Sequence, residues 1–164
     1  RLVQFCKNKN IDFFRGDLNN VFKRTIQCFN KYKFSSFVRV CADRPFFDIH
    51  LMDKMILKFR KKKYHIVTNQ FPRTYPQGLA CEVANINIFK KLNHIKMINS
   101  DKEHIFNFFY KKNKSYKIFN FLNKIDHSKI NVSINDKKDL SKIRKIYRKY
   151  SRYNYINFNK IKNI

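Results

Sequence analysis

Short apolar, β-branched runs alternate along this chain with segments of helical periodicity. That alternation restricts the chain to an α/β fold around a mostly parallel sheet. IDFF (11–14), SFVRVC (36–41), YHIVT (64–68), ACEV (80–83), YKIFNF (116–121) and INVSI (130–134) read as strands. Residues 2–9 read as the end of a helix. Asp17 is placed to cap a helix reaching Lys31, with Val21, Phe22, Thr25, Ile26 and Phe29 on one face. Asp48 is placed to cap a helix through Phe59, with Leu51, Met55 and Leu57 supplying apolar contacts. Asn85 can start the short helix INIFKKL. Ser100 to Glu103 reads SDKE, the capping-box spacing, ahead of a helix to about Lys111. Asp136 is placed to cap a last helix with Leu140, Ile143 and Tyr147 inward. The expected organisation is one α/β domain over 1–150 and a basic, poorly ordered tail over 151–164.

Punctuation is scarce and concentrated. The chain has 2 Gly and 3 Pro in 164 residues, yet Pro72, Pro76 and Gly78 all fall within TNQFPRTYPQGLACEV (68–83). Residues before the prolines are pushed out of the α region, and Gly78 can take positive φ. A fixed, extended loop is expected, with Arg73, Thr74, Tyr75 and Gln77 facing outward. A guanidinium, hydroxyls and an amide on a rigid loop suit a polar anionic ligand. The plain alternative is a connection between strands. Asp43 follows a buried strand and precedes Pro45. It is placed either to hold Mg²⁺ or only to cap that turn.

Lys and Arg number 37 against 11 Asp and Glu, a formal charge of +26. That balance suits a polyanion partner. An AT-rich coding sequence produces the same composition in any cytosolic protein, and the lysines are scattered, so that is the simpler reading. No nucleic-acid motif is present, and a basic nucleic-acid-binding module is the lesser alternative. The KKK run at 61–63 reads as a solvated loop. No run of about 18 apolar residues occurs, so no membrane association is expected. Cys6, Cys28, Cys41 and Cys81 lie far apart, without a C-x-x-C pair or matched His spacing, which argues against zinc or a disulfide framework. Reduced thiols in a cytoplasmic protein are expected.

Five blocks in order carry a resemblance: FFRGDLNNVFKR, FVRVCADRPFFD, TNQFPRTYPQGLACEV, DKEH and INVSINDKKDL. Together they resemble the cytidylyltransferases, and more closely the spore-coat polysaccharide biosynthesis F proteins, over about residues 1–150. These are relatives of the enzymes that make CMP-3-deoxy-manno-octulosonate and CMP-neuraminate. The resemblance implies a nucleotide-diphospho-sugar transferase-like three-layer sandwich. It implies attack of a sugar or sugar-acid hydroxyl on the α-phosphate of CTP, with pyrophosphate leaving and Mg²⁺ assisting, in cell-surface polysaccharide biosynthesis. Asp43 matches the family's metal-binding Asp, with Ala42 for the usual Gly, and Arg39 matches the Arg of that strand; both are expected at the catalytic centre. Arg73, Tyr75, Pro76 and Gly78 match the family's Arg-Thr-Tyr-Pro-x-Gly block on the sugar side, with Thr74 and Gln77 inside it. Glu82 lies in the block that follows, and Glu103 and His104 match Arg-Glu-His with Lys102 for Arg. All of these are expected to bind substrate. Arg15, Gly16 and Arg24 match the block after the second strand.

Three departures stand out. Asn135 replaces the second metal-binding Asp; an amide still ligates Mg²⁺ through its oxygen but brings no charge. Ala80 replaces another Asp. The family's opening strand and its Gly/Arg/Lys-rich triphosphate loop have no counterpart, so either a fragment of a longer product or a catalytically inactive relative is expected. The resemblance also implies a homodimer through about residues 64–110.

Overall fold

The computed structural model describes residues 1–92, 94–153 and 155–162. Where one domain is expected over 1–150, the chain divides into two compact units: Arg1–Ser35 with Ile86–Lys112, and Ser36–Asn85 with Asn113–Ile164. The first unit is helical, with α1 (Leu2–Asn8), α2 (Val21–Tyr32), α4 (Ile86–Lys90), α5 (Asn99–Glu103) and α6 (Asn107–Lys111). The second holds β1 (Ser36–Arg39), α3 (Ile49–Arg60), β2 (Ile66–Thr68), β3 (Glu82–Asn85), β4 (Ile118–Asn120), α7 (Lys137–Lys149) and α8 (Phe158–Ile161).

In the helical unit the core is aromatic. Phe89 of α4 is fully buried, and the rings of Phe22, Phe29, Phe106 and Phe109 surround it at 6.2, 6.1, 5.3 and 4.7 Å. Such edge-on and tilted pairs add to plain area burial. Phe22, Ile26 and Phe29 are the buried stripe of α2, as the i, i+4, i+7 spacing predicts. Three local expectations change here. Asn20 caps α2 by accepting from Lys23 N at 2.8 Å; Asp17 instead accepts from Asn19 N and Asn20 N and shapes the turn before it. Residues 11–14 form no strand, and the Phe13 carbonyl accepts from the Tyr32 hydroxyl at 3.1 Å. The capping box does not form: α5 begins at Asn99 and ends at Glu103. Its N-cap is Ile98, with no side-chain cap, and Asp101 is buried and pairs with Lys111 Nζ at 2.6 Å.

The second unit is built on a four-stranded sheet in the order β1-β3-β2-β4. β1 and β2 both run antiparallel to β3, and only the β2–β4 pair is parallel, so the mostly parallel expectation is corrected. The cause is local: the chain turns back after Thr68 and inserts β3 between β1 and β2. The α/β class holds. Register aligns Val38, Val83, Val67 and Phe119 in one row, and all of them pack in the cluster under Leu51 and Met55 of α3. Leu57, expected inward, is exposed. Asp48 caps α3 as read from the sequence, accepting from Leu51 N at 3.0 Å.

The next row is polar: Arg39, Glu82, Thr68 and Asn120. It sits at the carboxyl ends of β1, β2 and β4, where ligands of open α/β sheets bind. Residues 130–134 form no full strand. They make one bridge, Gln77 to Asn131, while Val132 fills a second apolar cluster with Phe46, Leu79, Ile143 and Ile146. Asp136 caps α7 by accepting from Asp139 N at 2.8 Å. Ile143 and Ile146 are its buried residues; Tyr147, expected inward, is 62% exposed. In the segment after Tyr150, Ile156 and Ile161 join that second cluster, and Phe158 N donates to Asp48 Oδ2 at 2.9 Å.

Candidate active site

The loop between β2 and β3 is closed at its base by Asn69, which is fully buried. Its Nδ2 donates to Leu79 O at 2.8 Å, and its Oδ1 accepts from Cys81 N at 2.9 Å. One amide side chain thus satisfies two backbone groups that have no strand partner. Further along, Gln77 N donates to Ile130 O and Val132 N donates to Gln77 O, both at 2.8 Å. This tight docking demands glycine next. Gly78 has φ +103°, and a Cβ there would lie 2.7 Å from the Val132 carbonyl carbon. At the loop's other edge Asn120 accepts from Phe71 N and donates to Pro72 O at 2.8 Å.

The loop and the segment after β1 enclose a cleft of about 120 Å³, lined by Asp43, Arg44, Gln70, Arg73, Gln77 and Ser133, with Gly78 and Ala80 at its floor. Ile134 N donates to Asp43 O at 2.9 Å, which joins the segment that follows β1 to the strand-like run before α7. Asp43 Oδ1 is buried and accepts no hydrogen bond; the nearest cation is Arg44, whose Nε lies 3.9 Å away. Arg44 itself is held by donation from Nη1 to Ala80 O. Ser133 Oγ accepts from Asn135 Nδ2 at 3.1 Å and from Gln77 Nε2 at 3.4 Å, and donates to Asn131 Oδ1 at 2.7 Å. Asp139 Oδ2 accepts from both Asn135 N and Asn135 Nδ2, at 2.9 and 3.2 Å, and these bonds hold the half-buried Asp139 carboxyl below the usual carboxylate range. With its nitrogen committed, Asn135 has only its amide oxygen to offer a ligand.

The expected site residues therefore sort themselves. Asp43, Arg73, Gln77 and Gly78 come together in the cleft, and Asn135 adjoins it through Ser133. Arg39 and Glu82 pair with each other at 3.1 Å across β1 and β3, with the Glu82 side chain only 5% exposed, and neither lines the cleft. Thr74 accepts from Asn123 N through Oγ and from His127 N through its carbonyl, so it anchors the 121–127 segment. Tyr75 turns to a second cleft of about 440 Å³, lined by Asp48, His50, Lys54, Phe121 and Asn157 among others, and its ring lies 5.2 Å from that of Phe158. Burial, reinforced by Asp48, raises the Tyr75 hydroxyl above its ordinary pKa. Glu103 and His104 belong to the helical unit, at the end of α5, where both are exposed. Sequence reasoning missed Arg44, Asn69, Gln70 and Ser133. Arg44 directly follows Asp43, which that reasoning singled out, while Asn69 and Gln70 lie within the 68–83 stretch it marked only as a whole. Ser133 comes from a run read only as strand.

Among the described residues no group of three or more His, Cys, Asp or Glu gathers around a common point. The four cysteines are free, and burial pushes the Cys81 thiol up to about 12. No helix among the described residues is long and apolar enough to cross a membrane.

No family model matches the chain. A cytidylyltransferase of Leptospira borgpetersenii serovar Hardjo-bovis superposes with a TM-score of 0.80, covering 99% of this chain and 74% of that one at 21% identity. The fold is that of a cytidylyltransferase. An uncharacterized protein of Methanocaldococcus jannaschii is 24% identical over 118 residues, which is 72% of this chain and 47% of that protein. The chain thus spans about half the length of this curated relative.

Proposed function

We propose that this chain carries a nucleotidyltransferase site that joins CTP to a sugar or sugar acid and releases pyrophosphate, as part of cell-surface polysaccharide synthesis. The observation that carries the reading is the Asp43 cleft. Its Oδ1 is buried and accepts no hydrogen bond, while the rest of the side chain, 40% exposed, opens to the cleft, and Arg44 and Arg73 stand on the same walls. A buried acceptor left unpaired costs about 1–3 kcal/mol or more, so a site that keeps one is suited to a ligand that completes it. The cytidylyltransferase fold supports the same class.

Mg²⁺ fits this donor set: Asp43 offers one carboxylate and Asn135 one amide oxygen, and a hard cation of this size takes its remaining ligands from water and phosphate. Bound there, it would neutralise charge on the transferring phosphoryl group. The chain's own residues do the rest. Arg73 can pair with phosphate or carboxylate oxygens through a bidentate fork. Gln77 and Ser133 present polar groups from two docked backbone segments, so their positions cost little reorganisation when substrate arrives. A volume of about 120 Å³ admits a cation and its immediate ligands but not a whole nucleotide, so the base and sugar lie outside it.

The test is pyrophosphate release from CTP and Mg²⁺ with a panel of sugars and sugar acids. Release with at least one acceptor is expected, and Asp43→Asn should lower it on the order of 100-fold, the loss of several kcal/mol of charge stabilisation. No release with any acceptor, or an Asp43→Asn rate equal to wild type, would overturn the assignment.

A further inference from the structure

The scattered lysines of the sequence acquire an arrangement on α7. Lys137, Lys138, Lys142, Arg144, Lys145, Arg148 and Lys149 are all exposed. At 3.6 residues per turn they fall within an arc of about 160°, running about 18 Å along the helix. Ser141 is the other residue of that arc. The one carboxylate within α7, Asp139, sits toward the opposite, buried side and is engaged by Asn135. Coding bias alone does not explain this face. α3, in the same unit and of similar length, mixes exposed Ile49, Leu57 and Asp53 with its cations.

We propose that the outward face of α7 is a binding surface for single-stranded nucleic acid. Charge complementarity is the first ground: a helix face whose only charges are cations, with just Lys142 Nζ drawn to Asn131 O at 2.9 Å, matches a phosphate chain, and release of counterions drives such binding. The second is aromatic. Tyr147 borders the arc one turn from Arg144 and is 62% exposed, in reach of an unstacked base. Just past the helix, Arg152 and Lys160 lie 5.1 and 3.5 Å from the Tyr153 ring, which places more cations at the same end. An anionic bilayer is the poorer match. The apolar side of α7, Ile143 and Ile146, is spent in the core, and the outward face offers nothing to insert.

Fluorescence anisotropy with a labelled ~20-nucleotide single strand tests this directly, a length above the usual site size of one binding module. For four to five neutralised phosphates, log K should fall against log salt with a slope of roughly −3. Lys138→Glu/Lys145→Glu/Lys149→Glu should weaken binding by at least roughly tenfold. Lys7→Glu/Lys9→Glu/Lys112→Glu, an equal change of net charge in the other unit, should weaken it less than about twofold. Circular dichroism confirms that each variant is folded, and the three Lys→Gln changes replace the charge reversals if one is not. Tyr147→Phe should bind as wild type and Tyr147→Ala several-fold weaker. Equal loss in both triple variants would reduce the effect to net charge and overturn the surface. So would binding to phosphatidylserine vesicles without binding to the strand.

Discussion

One loop builds two clefts of opposite character on the sheet-bearing unit. Gln70, Arg73 and Gln77 face the small polar cleft beside Asp43, while Tyr75, between them in sequence, lines the larger aromatic one beside Asp48. The small cleft is fixed by backbone: Gln77 exchanges hydrogen bonds with Ile130 and Val132, and Gly78 lies against the Val132 backbone. The large cleft is fixed by side chains, with Asp48 holding Leu51 N, Phe158 N and the Tyr155 hydroxyl. A backbone-built cleft tolerates almost no change in the residues that dock it. A side-chain-built cleft loosens by degrees.

That contrast can be broken from the base upward. Arg39→Leu should have the largest effect, because it removes the cation paired with the buried Glu82 carboxylate. A loss of about 3–5 kcal/mol is expected, read as a fall in the urea midpoint. Gly78→Ala should follow at about 2–3 kcal/mol, from strain at positive φ and a clash that only backbone movement relieves. Asp48→Ala should cost about 2 kcal/mol, by removing the α3 cap and the anchor of Phe158, yet leave the Asp43 cleft and its ligand affinity intact. Asp43→Asn should change stability least, within about 0.5 kcal/mol, since its Oδ1 makes no hydrogen bond to lose. If Asp43→Asn destabilised more than Asp48→Ala, the roles given to the two clefts would be reversed.

Alkaline titration sharpens the same contrast. Cys81, behind the loop, is pushed from 9.0 to about 12, and Tyr155, behind the second cleft, from 10.0 to about 12, both first of all by burial. Each group keeps its proton longer folded than unfolded. Stability is therefore full below the unfolded values and falls as pH rises from about 9 toward 12. Tyr155→Phe should remove the part of that fall above pH 10, and Cys81→Ala the part that begins near 9; urea titrations at stepped pH would show it.

Local chemistry was legible in the sequence at several places where one residue acts on its own neighbours. Asp48 and Asp136 cap the helices assigned to them, and Gly78 takes the positive φ foreseen for it. Arg73, Gln77 and Asp43, each singled out from the sequence, line one cleft. Long-range arrangement was not legible. Nothing in ACEV announces that β3 inserts antiparallel between β1 and β2, because strand direction is set by the partner and not by the strand. Ile130, Val132 and Ile134 alternate as a strand would, yet they serve as core side chains beside a single bridge. Ser100 has the right spacing to cap, but the N-cap of α5 is Ile98, with no side-chain cap. The pairing of Arg39 with Glu82 follows from register, which a single sequence does not display.

The most direct test of the central claim is calorimetric binding of CTP to the wild-type chain and to Asp43→Asn, each with and without Mg²⁺. The account predicts that Mg²⁺ strengthens CTP binding to wild type at least roughly tenfold, and that Asp43→Asn removes this gain while melting at the wild-type temperature. An equal Mg²⁺ dependence in both proteins would contradict it.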